Sequence, residues 1–249
     1  MNDKNENYYL SRKPKLMKDL NQILKFTRQV LTEYFDEPKI DRLLDEIRRE
    51  FEELIPQIPY IGGDKSSGTR NIVGGAMFLA IIWPLEREGL AERDIGKVIY
   101  QSMYMVFNSK PYFVRWLIGK MMTTKFFINH RKKQQPSESY PYSWENNFLE
   151  AEGQDFDLGL DVTKCGIVKL FKEHDMENYV PYACLLDYCM FKSFGLGFER
   201  TQTIGNGAPL CDFRFKKVGE TAPGWPPETL QEFTRGKGVS EETGPCACD

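Results

Sequence analysis

Histidine is almost missing from this chain: His130 and His174 are the two in 249 residues. They lie on different segments, so neither a histidine-based triad nor a His-rich zinc set has the residues it needs. No GxSxG, HExxH, phosphate-loop or strand–turn–helix GxGxxG pattern occurs, which argues against chemistry built on those motifs. No CxxC pair is present either, so the commonest spacing of a cysteine metal site is missing. Long apolar runs are absent. The longest, residues 72–85, contains two glycines and a proline and falls short of the roughly 20 residues of a membrane span. The opening MNDKNENYYL has no apolar signal core. A cytoplasmic, reducing location with free thiols is therefore expected. A dominant charge sign is also lacking, with 33 Lys+Arg against 36 Asp+Glu and a formal net charge of −3. Neither nucleic acid nor a membrane is expected as the main partner.

What is present is the composition of an ordinary globular protein, 41% hydrophobic and 28% charged, with helical periodicity over the first 135 residues. Leu20, Ile23, Leu24, Val30 and Leu31 share a face, and Ile40, Leu43, Leu44, Ile47, Phe51 and Leu54 repeat at 3–4 spacing until Pro56 and Pro59. Residues 72–85 are apolar almost all round and predict a buried helix that Pro84 bends or ends. Further helices are expected over 92–107 and from Pro111 to about 128.

Residues 134–143 are polar with two prolines and read as a linker. From Phe156 the period changes to two: Phe156, Leu158, Leu160 and Val162 alternate with Asp157, Gly159 and Asp161. Thr163 is a candidate cap for a helix to His174, and 179–194 predicts another. A hairpin is expected from 198–204 and 210–216 around Gly205-Asn206-Gly207. The fold class is α+β, with N-terminal helices packed on a small, mainly antiparallel sheet and two helices from the C-terminal half. One domain would occupy 1–217 (helical 1–135, mixed 145–217). Residues 218–249, rich in Pro and Gly and ending Cys246-Ala-Cys248, read as an extended surface tail.

Two charge blocks carry weak signals. Residues 110–133 hold seven Lys/Arg and no acid, interleaved with aromatics, but Lys110, Arg115, Lys120 and Lys125 recur every five residues. Each is turned about 140° from the last on a helix, so a solvated helix is the expectation. Residues 145–161 hold six acids and no base and read as solvent-facing.

The cysteines and the hairpin are more specific. Cys165 starts a helix, where the helix terminus would lower a thiol pKa. Cys184 and Asp187 are three apart and share a helix face, while Cys189 reads as packing. Along the second hairpin strand Cys211, Phe213 and Phe215 alternate with Asp212, Arg214 and Lys216. Pairing Thr203 with Cys211 would set Glu199, Thr201 and Thr203 beside Cys211 and turn Arg200 and Arg214 away. A carboxylate, two hydroxyls and a thiol on an aromatic surface suit a small polar ligand better than a dry core. Joint metal binding by Cys165, Cys184 and Cys211 is a further possibility.

The run FDLGLDVTKCGIVKLFKEHDMENYVPYACLLDYCMFKSFGLGFERTQTIGNGAPLCDFRFKK, above all Arg200-Thr201-Gln202-Thr203, the glycine turn and Cys211-Asp212-Phe213-Arg214-Phe215, resembles the C-terminal part of the L-2-amino-thiazoline-4-carboxylate hydrolase family. The resemblance spans about residues 60–217. It implies a hydrolase opening a C–N or C–S bond of a small cyclic amidine or amide-like substrate, with no cofactor and no metal. Cys211 or Cys184 would be the nucleophile, Asp187 or Glu199 the base or amidinium partner, and Arg200 or Arg214 the carboxylate clamp. Thr201, Thr203, Asp212 and Cys165 would complete the substrate pocket. A more distant resemblance, to vinyl-reductase-type ligand-binding domains, implies small-molecule binding without turnover.

Overall fold

The computed structural model describes residues 8–133, 140–149 and 151–236. Four long helices form the body: α1 (Lys13–Leu31), α2 (Glu37–Leu54), α3 (Thr69–Arg87) and α4 (Glu92–Asn108). Their apolar stripes are the expected ones, and Ile40, Leu43, Leu44, Ile47, Phe51 and Leu54 of α2 are all buried. Asp36 caps α2 by accepting the Lys39 amide at 3.1 Å. α3 is buried nearly all round and packs on α2, α4 and α7 (Gly166–Glu173). Pro84 does not end it: α3 runs one turn further, to Arg87. A proline this close to a helix C-terminus removes a single backbone bond.

The expected helix over 111–128 is two, α5 (Tyr112–Met122) and α6 (Lys125–Lys133). Thr123 and Thr124 divide it. Their hydroxyls donate to the carbonyls of Lys120 and Met121, and Thr124 Oγ1 accepts the Phe127 amide, capping α6. The helix expected over 179–194 is likewise broken at Leu185 into α8 (Val180–Cys184) and α9 (Leu186–Ser193).

A four-stranded antiparallel sheet follows, in the order β1–β2–β4–β3, from β1 (Glu145–Leu149), β2 (Leu158–Lys164), β3 (Gly197–Glu199) and β4 (Cys211–Lys216). With the helical body, this is the expected α+β class. β1 is an edge strand that the acidic block had concealed. Thr163 lies inside β2, and Cys165, not Thr163, occupies the cap position of α7. The sheet packs on α9 through aromatic contacts: the Phe191 ring lies 4.9 Å from Phe198 and 4.8 Å from Phe215.

The hairpin departs most from expectation. β3 is three residues long, and Phe198 pairs with Phe215 and Glu199 with Arg214. Within β3 the register is shifted by one relative to the Thr203–Cys211 pairing expected from the turn, which reverses the faces of Glu199 and Arg200, while next to the turn Thr203 still lies beside Cys211. Glu199 therefore lies on the outer face, exposed and beside Lys216, whereas Arg200 is buried. Beyond Glu199 the ladder stops. Asp212 accepts the amides of Thr201 and Gln202, each at 2.9 Å, and the Thr201 hydroxyl at 2.7 Å, while its own amide donates to the Gln202 carbonyl at 3.4 Å, so a side chain supplements a thinned strand pairing.

The stretch after Val218 is attached through buried side chains. Thr221 donates to the Leu196 carbonyl, the Gly224 amide donates to Tyr100, and Leu230, Glu232 and Phe233 are all buried. The expected Cys246/Cys248 tail lies outside the described residues. No described helix is long and apolar enough to cross a membrane.

Candidate active site

The centre of the C-terminal half is a buried cation. Arg200 has a side chain about 1% exposed, sandwiched against Phe213, whose ring centroid is 4.9 Å away, and against Phe198 and Tyr188. Burying a guanidinium is costly unless its donors are matched. Here four of its five N–H groups have acceptors among the described residues. Nε and Nη2 engage both carboxylate oxygens of Glu232, Nη2 also reaches the Cys184 carbonyl at 2.9 Å, and Nη1 donates to Asp187 Oδ2 at 2.7 Å. Asn206 of the turn donates to the Glu232 carbonyl at 2.7 Å, and Tyr188 donates to the Arg200 carbonyl at 3.3 Å.

Two carboxylates thus share one cation. Glu232 holds Arg200 in the bidentate geometry that best matches opposite charges. Asp187 receives a single bond, and its Oδ1 takes no hydrogen bond among the described residues. Burial pushes its pKa above the usual carboxylate range, against the downward pull of Arg200, with Glu232 adding to the rise. Asp187 is thus the less tightly held of the two carboxylates.

Beside it the thiols converge. Thr203, fully buried, sets its hydroxyl 3.5 Å from Cys184 Sγ and 3.2 Å from Cys211 Sγ, and the Ile204 amide donates to Cys211 Sγ at 3.2 Å. The glycine turn makes this possible: a Cβ on Gly205 would lie 2.9 Å from Cys184 Sγ. Cys165, at the start of α7, lies within electrostatic range of Cys211 and Asp187. The amides of Ile167 and Val168 do pull its pKa down, but burial dominates and raises it to about 11. The expected lowering by a helix terminus is thus overturned by desolvation. Burial likewise raises Cys184, Cys189 and Cys211. At neutral pH the four are thiols, not thiolates.

Cys165, Cys184 and Asp187 are deeply surrounded by protein yet keep accessible surface, about 29% for the Asp187 side chain. Among the described residues no group of three or more His, Cys, Asp or Glu side chains is arranged to hold a metal ion.

Five of the expected site residues are therefore linked, Cys184, Asp187, Arg200, Thr203 and Cys211, with Cys165 within electrostatic range of them. Arg200 serves as an internal anchor, with no free edge to clamp a ligand carboxylate. Arg214 is elsewhere, on the other sheet face, donating to Asp161 at 2.8 Å above Phe156. Glu199, exposed and next to Lys216, is outside the group. Thr201 and Asp212 bind each other and shape the loop that carries Thr203. Sequence reasoning missed Glu232. Its one signal was the three-residue spacing of Leu230 and Phe233, an apolar pair flanking a single acid.

The family described as L-2-amino-thiazoline-4-carboxylic acid hydrolase matches residues 70–215, more than half of the chain. The chain belongs to that family. No curated protein and no solved structure matches it. The family match takes in α3 to β4, and with them Cys165, Cys184, Asp187, Arg200, Thr203 and Cys211. It stops before Glu232, so in this chain the partner that neutralises Arg200 comes from outside the matched region.

Proposed function

We propose that the protein is a hydrolase opening a C–N or C–S bond of a small cyclic amidine or amide-like ring, of the kind named by its family. The observation that carries this reading is Asp187: a carboxylate of raised pKa, about 29% exposed, tied through one oxygen to a buried arginine that also holds the Cys184 carbonyl. In the proposed reaction Asp187 takes a proton from water as the water oxygen bonds to the amidine carbon. The ring bond to sulfur or nitrogen then breaks, and the departing atom takes that proton back from Asp187. No oxidant and no cofactor enters the balance. Cys184, partly exposed, and Cys211, both in contact with the Thr203 hydroxyl, supply a soft polar surface for a sulfur-containing ring. A direct thiol attack would place Cys184 or Cys211 covalently on the substrate carbon.

The test is incubation of the full chain with 2-amino-thiazoline-4-carboxylate and related cyclic amidines, read by mass spectrometry. A mass gain of one water that disappears in Asp187→Asn is expected. Intact-protein mass separates the routes, since an adduct lost in Cys184→Ser or Cys211→Ser marks thiol attack. A second reading, ligand binding without turnover, is favoured by one observation, the burial of the four described cysteines, which raises the pKa of each thiol. It predicts a tight complex and no mass gain, and that outcome would sink the hydrolase reading.

A further inference from the structure

α5 is turned inside out. A surface helix of a globular protein normally buries its apolar stripe, yet α5 rests on the C-terminal end of α9 through Gly119, where a Cβ would lie 2.2 Å from the Phe194 carbonyl oxygen. Arg115 reinforces that inner side by donating to the Ser193 carbonyl at 2.9 Å. The outer side carries Phe113, Val114, Trp116, Leu117 and Met121, all exposed, within an arc of about 160° at 3.6 residues per turn. Among the described residues ten large hydrophobic side chains are exposed, and seven of them lie between residues 112 and 126. Phe126, on α6, is 83% exposed. So is Val218, the neighbour of Lys217, whose carbonyl accepts Lys120 Nζ at 3.0 Å and so sets Val218 beside this face.

The charges of the segment that carries the apolar face are of one sign. Residues 110–133 contain no acid, and Lys110, Lys120 and Lys125 form no ion pair among the described residues. Lys120 rises from the middle of the apolar arc with its ammonium 5.7 Å over the Trp116 ring, and Phe113 stacks on Trp116 at 6.4 Å. Long cations that lay their stems along aromatic rings and lift their heads belong at a polar–apolar boundary. A second copy of the same face would bring like charges together. A nucleic acid would be met by aromatics and lysines but gives no use for exposed Leu117, Met121 and Val114.

We propose that the α5–α6 face is an interfacial docking surface for an anionic lipid bilayer. Phe113, Leu117, Met121 and Phe126 enter the acyl boundary while Lys110, Lys120 and Lys125 meet the headgroups. Such docking lies on the surface and needs no spanning helix. It is independent of the hydrolase reading.

The test is flotation of the full-length chain with phosphatidylglycerol-containing vesicles and with pure phosphatidylcholine vesicles. Binding to the anionic vesicles that weakens with salt is expected. Replacing Phe113 and Leu117 together with serine should lower the bound fraction about tenfold, with an unchanged circular dichroism spectrum because both side chains already face solvent. Replacing Lys120 and Lys125 with glutamate should remove the preference for anionic lipid. No binding to the anionic vesicles, or binding that the Phe113/Leu117 variant retains, overturns the proposal. So does a wild-type dimer that this variant makes monomeric, and so does RNA binding lost in the lysine variant without vesicle binding.

Discussion

Arg200 and Glu232, 32 residues apart in the chain, form a two-point ion pair in which each side chain is about 1% exposed. The pair joins the end of β3 to α10 (Gln231–Gly236) and at the same time fixes the cation on which Asp187 leans. The C-terminal segment thereby takes part in holding the candidate site together.

Removing one member of this pair leaves a buried charge without its counterpart. Glu232→Ala is expected to cost about 3–5 kcal/mol of unfolding free energy, measured by urea denaturation. A double replacement, Arg200→Met with Glu232→Leu, should regain part of that loss because no uncompensated guanidinium remains. A Glu232→Ala protein of wild-type stability would show that the pair is not buried in solution.

The raised pKa of Asp187 has a definite sign. The folded chain holds this proton more tightly than the unfolded chain does. The resulting stabilisation is full below the unfolded carboxylate range and is lost as pH rises through the folded value. Turnover that needs ionised Asp187 should run the other way, falling as pH drops through a point above the ordinary carboxylate value of about 4. Asp187→Asn should abolish the activity and leave the thermal midpoint little changed. A pH–rate profile with an unshifted acid limb would speak against Asp187 as the base.

Thr203 lowers the pKa of both Cys184 and Cys211 through its hydroxyl. In Thr203→Val, nearly the same shape without the hydroxyl, both thiols should shift further up and alkylate more slowly with iodoacetamide near pH 9. The lost hydrogen bonds should cost about 1–2 kcal/mol of stability. Peptide mapping of the alkylated cysteines is the readout. Unchanged rates at both sulfurs would mean that the hydroxyl does not bridge them.

Local patterning carried most of the architecture. The stripes of α1 and α2, the all-round apolar character of α3 and the alternation of β2 are short-range signals, and each became the element expected. Cys184 and Asp187 could be put together in advance because three-residue helical spacing nearly survives the break at Leu185. The breaks at Thr123–Thr124 and Leu185 were less visible, since hydroxyl back-bonding and one-turn irregularities leave no periodic trace.

By itself the sequence determined the α+β class, the apolar stripes and the concentration of thiols and polar groups around the glycine turn, because these depend on neighbours three or four positions away. Tertiary structure alone decided the rest. The one-residue register of β3 on β4 is set by packing Phe198 and Phe215 against Phe191, and it turned Arg200 inward and Glu199 outward. The counter-charge for Arg200 came from Glu232, across a loop that no local pattern spans. Desolvation, a property of the folded interior, overcame the helix terminus at Cys165 and left the thiols protonated. The outward face of α5 was decided the same way: a glycine let the helix dock on its small side, and the apolar side was left to the solvent.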